Sequence, residues 1–421
     1  MDVAKARELL TQALAQLQDD PPPSSSVTKI TAGTTLQVAI DAAAPGAILE
    51  LEPAIYEGVV RLTKPIILRA RTIANGRATA TSAAWLTSAD ETVQCVGNLG
   101  TLLGIGVRSS NPDAQIVNIL PSATNTLIDQ CAVVGDPVKG QRRGIRAEGT
   151  ATQIVRTYVG EIWRVGLETQ AVGCSNGCND LLIDDCTLMG AAQAFMAGGA
   201  DSDSEAAMPQ NITIRNSTLT KDPAWYTKHA QIKNALELKA AINVTVEDCL
   251  LEYAGISEGQ GGYVIVLTPR NQDGHAPWSR VQNVLFNRCR ARFGGGAVSF
   301  LGQDDTNPSG PCADITFRDV LFESIDPKAG PWKGDGRALF FNNGPQNVTF
   351  ERTTIQGAHL TAGMYLGGNP PKNLKAQVQL PKATYDLKID GGGQGVKGLL
   401  AYAPDAIYDP SGPAASGYPT V

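Results

Sequence analysis

Several charged residues recur at one offset from a repeated phrase. The phrase reads DLLIDDC at Asp180, NITIRNS at Asn211, NVLFNRC at Asn283 and DITFRDV at Asp314. Asp201, Asp304 and Asp335 each lie 21 residues beyond their own phrase start, and Lys233 and Asp305 lie 22 beyond theirs. If the phrases stack, this offset gathers Asp201, Lys233, Asp304 and Asp305 on one face, with Asp335 one repeat further. Glu237 adds a carboxylate close to Lys233. Two carboxylates on one surface can divide acid and base work, and a lysine among them can act as a base or steady a developing anion. Asp201, Asp203 and Glu205 form a D-x-D-x-E run whose oxygens suit Ca²⁺, although the run lacks a full ligand set. The plain alternative is that these Asp and Lys side chains are solvated or cap turns.

The longest gap between phrases separates Asn243 from Asn283. It predicts an inserted loop, TPRNQDGHAPWSR, carrying Arg270, Asp273, His275 and Trp278. Loops on rigid scaffolds are where binding residues concentrate. Trp278, with Trp225 and Tyr226, offers rings that either stack on a ligand or pack loops against the body.

The elements that must position these residues follow from the phrase itself. It also appears as NTLIDQC at Asn125, NVTVEDC at Asn243 and NVTFERT at Asn347, with a weaker copy, TQIVRTY, at Thr152. A period of about 30 residues marks a solenoid of stacked units. Within NVTVEDC, Val244 and Val246 alternate with Thr245 and Glu247, which is a strand pattern. Short strands joined by Gly-rich and Asn-rich bends make a parallel β-helix with rungs about 4.8 Å apart. Cys131, Cys186, Cys249 and Cys289 share one slot in the phrase, so they should form a buried column of small apolar side chains. Cys174 and Cys178 sit in one turn, CSNGC, and could bridge.

The net charge is −6, with no basic stripe, which argues against nucleic acid. No apolar run reaches membrane-span length. MDVAKARELL has neither the basic nor the apolar region of a signal peptide. Residues 2–18 read as an amphipathic helix, followed by the linker Asp19 to Ser26. The expected division is a helical arm and Pro/Ser linker at 1–26, a β-helix with its N-terminal cap at 27–371, and a C-terminal cap and flexible tail at 372–421.

The segment TTLQVAIDAAAPGAILELEPAIYEG, followed by KPIIL, resembles the opening of the pectin-lyase-like right-handed parallel β-helix proteins. GDPVKGQRRGI and LGQDDTNPSG resemble a narrower group of bacterial β-helix proteins. The likeness covers roughly residues 30 to 370. It implies an all-β solenoid in which the opening segment caps the first rungs. The superfamily includes polysaccharide lyases, glycoside hydrolases, epimerases and viral tailspikes. In these terms the catalytic candidates are Asp201, Lys233, Glu237, Asp304 and Asp305. The substrate-binding candidates are Arg270, Asp273, His275, Trp278, Trp225, Tyr226 and Asp335. The expectation is a glycan-recognising tail spike, trimeric, joined to a larger assembly through residues 1–26, with depolymerase activity in prospect. A free lyase or hydrolase and a non-catalytic adhesive protein are the alternatives. The tail-spike reading implies a virion tail, or release by lysis; the other address is cytoplasmic.

Overall fold

The computed structural model describes residues 27–71, 84–256, 261–379 and 388–389. The expected arm and linker lie outside the described residues, as does most of the expected C-terminal cap. Each rung of the body carries three short strands, one per face, and every strand pairs in parallel with its counterpart one rung away. In the rung of NVTVEDC these are Ala241–Glu247 on the first face, Leu250–Glu252 on the second and Tyr263–Leu267 on the third. The third face is a 12-stranded sheet. The other two faces join into a 23-stranded sheet, because Gln346–Gly357 runs through the corner and pairs on both.

The phrase is legible in this geometry. Its first residue takes a left-handed backbone conformation at Asn211, Asn243, Asn283 and Asn347, with φ between 52° and 56°. Asn tolerates that region better than other residues with a Cβ. Its amide also bridges rungs: Asn243 Nδ2 donates to Asn211 Oδ1 at 2.9 Å, and Asn283 Nδ2 to Asn243 Oδ1 at 2.8 Å. The weaker copy starts at Ala151 rather than Thr152, since Ala151 holds the left-handed position and Gln153 pairs with Leu127.

Val244 and Val246 are buried, while Thr245 and Glu247 are half-buried. Across rungs, the interior column runs Ile128, Ile154, Ile183, Ile214, Val246, Phe286, Phe317 and Phe350. The phenylalanines stack face to face, with 4.6 Å between the Phe286 and Phe317 centroids. All eight cysteines are buried and free, so Cys174 and Cys178 do not form the bridge their spacing allowed. Burial pushes the Cys131 and Cys289 thiols up to about 12, so they remain protonated packing groups.

The short helix Leu36–Ala42 buries Leu36 and Ile40 at the start of the core. Its Gln37 treats the first third-face strand as a neighbouring strand would. Gln37 Oε1 accepts from the backbone N–H of Arg61 at 2.7 Å, and Gln37 Nε2 donates to the Arg61 carbonyl at 3.3 Å. At the other end the ladder continues past residue 371. Asn373 Nδ2 donates to Asn347 Oδ1, Lys375–Gln379 pairs with the strand before it, and Lys388–Ile389 extends the third face.

Candidate functional site

The third-face strands break the two-residue alternation. Ala171 with Val172, Ala194 with Phe195, and Val264 with Ile265 all face the core as successive residues. The pairing register skips the first residue of each pair. The residue ahead of each pair falls outside the core pair, and in successive rungs it is Arg143, Gln170, Gln193, Asn234 and Tyr263. Polar side chains therefore line the heads of these strands, on the outer surface of a sheet whose inner surface is apolar.

A connected network forms there. Arg143 donates twice to Gln170 Oε1, at 3.0 and 2.8 Å. Gln170 Nε2 donates to Gln193 Oε1 at 3.1 Å. Gln193 Nε2 in turn donates to two carboxylates, Glu168 Oε1 at 2.6 Å and Glu237 Oε2 at 2.5 Å. Sharing one nitrogen, the two carboxylates are held as close neighbours. Lys233 Nζ lies 3.2 Å from Glu168, and Lys239 Nζ lies 3.7 Å from Glu237. Burial would raise the Glu168 carboxyl. Lys239, the Gln193 amide and Lys233 outweigh that and hold it below the ordinary range. Glu168 is also the open side of the network: its side chain is 31% exposed, against 6% for Lys233 and 1% for Glu237. Beneath it Lys221 is fully buried and donates to the carbonyls of Gly190, Ala192 and Asn234.

A second polar cluster sits beyond the far ends of the same strands. Asp304 accepts from Arg270 Nη1 at 2.9 Å and from the backbone N–H groups of Asn271 and Thr306, at 2.8 and 2.9 Å. Asp305 also pairs with Arg270. Asp201 Oδ2 accepts from the backbone N–H groups of Asp273 and His275, at 3.1 and 2.8 Å. Trp278 Nε1 donates to Ser202 Oγ at 2.9 Å. The cluster fastens the inserted loop to the body.

Sequence comparison is silent: no family model and no curated protein matches the chain. Solved structures do match. An alginate lyase from Paenibacillus sp. str. FPU-7 aligns with a TM-score of 0.50 and 11% identity, covering 84% of this chain and 100% of that one. The catalytic unit of a thermostable α-1,3-glucanase from Streptomyces thermodiastaticus strain HF3-3 aligns with a TM-score of 0.50 and 11% identity, covering 85% and 69%. The fold is that of the pectin-lyase-like right-handed parallel β-helices. A tailspike protein from Acinetobacter baumannii bacteriophage Fri1, a capsular polysaccharide depolymerase, aligns at 10% identity and a TM-score of 0.39, covering 86% of this chain and 63% of that one. At these identities the likeness is one of fold.

Within this β-helix the expected residues divide. Asp201, Asp304, Asp305, Arg270, Asp273, His275 and Trp278 do come together, in the loop clamp. Lys233 and Asp335 do not join them, because both precede their third-face strands whereas Asp201 and Asp304 follow theirs. Loops of unequal length made the common offset misleading. Asp335 instead accepts the single Tyr263 Oη–H, shared between its two oxygens at 3.0 and 2.9 Å, and burial raises its carboxyl above the ordinary range.

The proposed calcium ligands do not converge. Asp201 serves the loop backbone, Asp203 accepts from Asn176 at 2.6 Å, and Glu205 pairs with Arg280 at 2.8 Å. Among the described residues no group of three His, Cys, Asp or Glu side chains could hold a metal. Trp225 is not a stacking surface either: it is wholly buried with Trp163, Met189 and Ile232. Tyr226 packs against the same group and donates to the Ala254 carbonyl at 2.7 Å. Glu168, Gln170, Gln193, Lys239 and Arg143 escaped the sequence reading. A signal for them exists in the dipeptides Gln170-Ala171, Gln193-Ala194 and Asn234-Ala235, each an amide followed by a small core residue.

Proposed function

We propose that the chain recognises a polysaccharide along the heads of its third-face strands and hydrolyses it at Glu168. The observation that supports this reading is the amide of Gln193 shared by two carboxylates, each with a lysine beside it. Glu168, kept ionised by its neighbours and open to solvent, attacks the anomeric carbon while a water gives its proton to the departing glycosidic oxygen. The hydroxide so formed then cleaves the glycosyl–Glu168 ester, releasing the sugar and restoring the carboxylate, while Glu237 stays behind Gln193 as a positioning group. Lys233 holds the Glu168 carboxylate in place between these steps.

The test uses alginate and α-1,3-glucan, the polymers named for two structural neighbours, with polygalacturonate as a second uronate polymer. New reducing ends without an ultraviolet-absorbing unsaturated terminus support hydrolysis. An absorbing terminus would instead assign elimination, with Lys233 as the base. Failure to bind or cleave any of the three would overturn the reading.

The finer proposal is a tail-spike role with trimeric assembly and attachment through residues 1–26. The resemblance of the opening segment to a superfamily that includes tailspikes supports it. Light scattering on the full chain tests it. A trimer that falls apart on removal of residues 1–26 supports it, and a 44.3 kDa monomer overturns it.

A further inference from the structure

One column of residues on the outside of the molecule is difficult to explain by packing. At the end of the second-face strands, Tyr253, Phe293 and Ser324 follow one another in register, since Glu252 and Glu323 both align with Arg292. All three are left-handed, with φ of 63°, 64° and 52°. Gly or Asn adopts that conformation cheaply, whereas bulky aromatic residues do not. Yet neither ring joins a hydrophobic core cluster, and both are half-buried. The rings stack on each other, 4.9 Å between centroids and 21° between planes.

Where the column reaches Ser324 and offers no ring, Trp332 supplies one from a neighbouring loop. Its centroid lies 5.1 Å from that of Phe293 and 6.1 Å from that of Tyr253. The Trp332 indole N–H is shielded from solvent and has no acceptor. The column adjoins the site described above. Two residues beyond Tyr253, the Gly255 N–H donates to the Lys233 carbonyl at 2.8 Å.

We infer that Tyr253, Phe293 and Trp332 form a subsite that stacks on a pyranose ring of the polysaccharide held at Glu168. A pyranose presents flat C–H faces rimmed with hydroxyls. The half-buried rings supply the matching apolar surface. The subsite rests on the functional reading given above, and its test separates the two.

The probes are hexasaccharides of alginate, polygalacturonate and α-1,3-glucan, titrated calorimetrically into the Glu168→Gln chain so that none is consumed. The variants, each carried in addition to Glu168→Gln, are Tyr253→Asn, Phe293→Asn and Trp332→Ala, with Trp332→Phe as the conservative control. Asn suits the left-handed backbone, so the first two remove a ring without adding strain. Each loss of a ring should weaken the bound probe about tenfold, while Trp332→Phe keeps most of the affinity. Unchanged affinity in all three ring-deleting variants, with or without a lower melting temperature, would overturn the subsite and leave the Glu168 site standing. Failure of both the native chain and its Glu168→Gln form to bind any probe would overturn both.

Discussion

The Glu168 network and the Asp304 cluster use the same residue types at opposite ends of the same strands. Around Asp304 the carboxylates meet backbone N–H groups and one arginine, so they are occupied by the loop they fasten. Around Glu168 the bonds run from side chain to side chain across four rungs, and no loop backbone is tied down. A carboxylate that holds backbone builds structure. One held by other side chains, open on one edge, can exchange a partner for a ligand. Residue type and proximity in sequence do not distinguish the two; the identity of the hydrogen-bond donor does.

Variants can break or sharpen that contrast. The largest effect is expected from Glu168→Gln, which should lower turnover of the cleaved polysaccharide by about a thousandfold with little change in melting temperature. A variant that melts early and turns over normally would place Glu168 with Asp304 as a structural group. Trp225→Ala should cost about 3–5 kcal/mol in chemical denaturation, as expected for a large ring removed from a sealed cluster. Asp304→Asn should cost about 2 kcal/mol and make the 270–278 loop more sensitive to protease, while leaving polysaccharide binding in place.

The pH dependence of that last variant has a definite sign. Burial raises the Asp304 carboxyl, but the N–H groups of Thr306 and Asn271, with Arg270, hold it below the ordinary range. Its contribution to stability is complete above the unfolded carboxyl value of about 4 and is lost as pH falls through the folded value. Native and Asp304→Asn chains should therefore converge in stability below about pH 4 in urea titrations at several pH values. The smallest effect is expected from Trp278→Phe, which keeps the ring but loses its bond to Ser202, at about 1 kcal/mol by thermal melting.

The architecture was legible because its causes are local and repeated. An Asn able to sit left-handed, two inward β-branched or aromatic residues and a small slot for Cys recur in the phrase, and each copy reinforces the reading. The loop clamp was half legible: the offset count brought Asp201 and Asp304 together with the inserted loop. It also drew in Lys233 and Asp335, because counting forward from one face cannot track loops that differ in length on another. Trp225 looked like a ligand surface because a buried ring and an exposed ring read alike in one sequence. The Gln193 network was hidden by a third-face register in which two successive residues face inward, which erases the alternation that would have marked Glu237 as outward-facing.

The pairing of Gln37 with Arg61 bears on how copies of the molecule behave toward each other. A stack of strands at the ordinary spacing ends in a row of open donors and acceptors, and another stack can continue it without limit. Joined head to tail, such units grow into a fibre because nothing closes the series. One glutamine amide, matching the two hydrogen bonds of a strand and offering no third strand beyond, serves as a stopper. In this molecule one side chain on a seven-residue helix takes up the donor and acceptor of Arg61 that another strand would otherwise use.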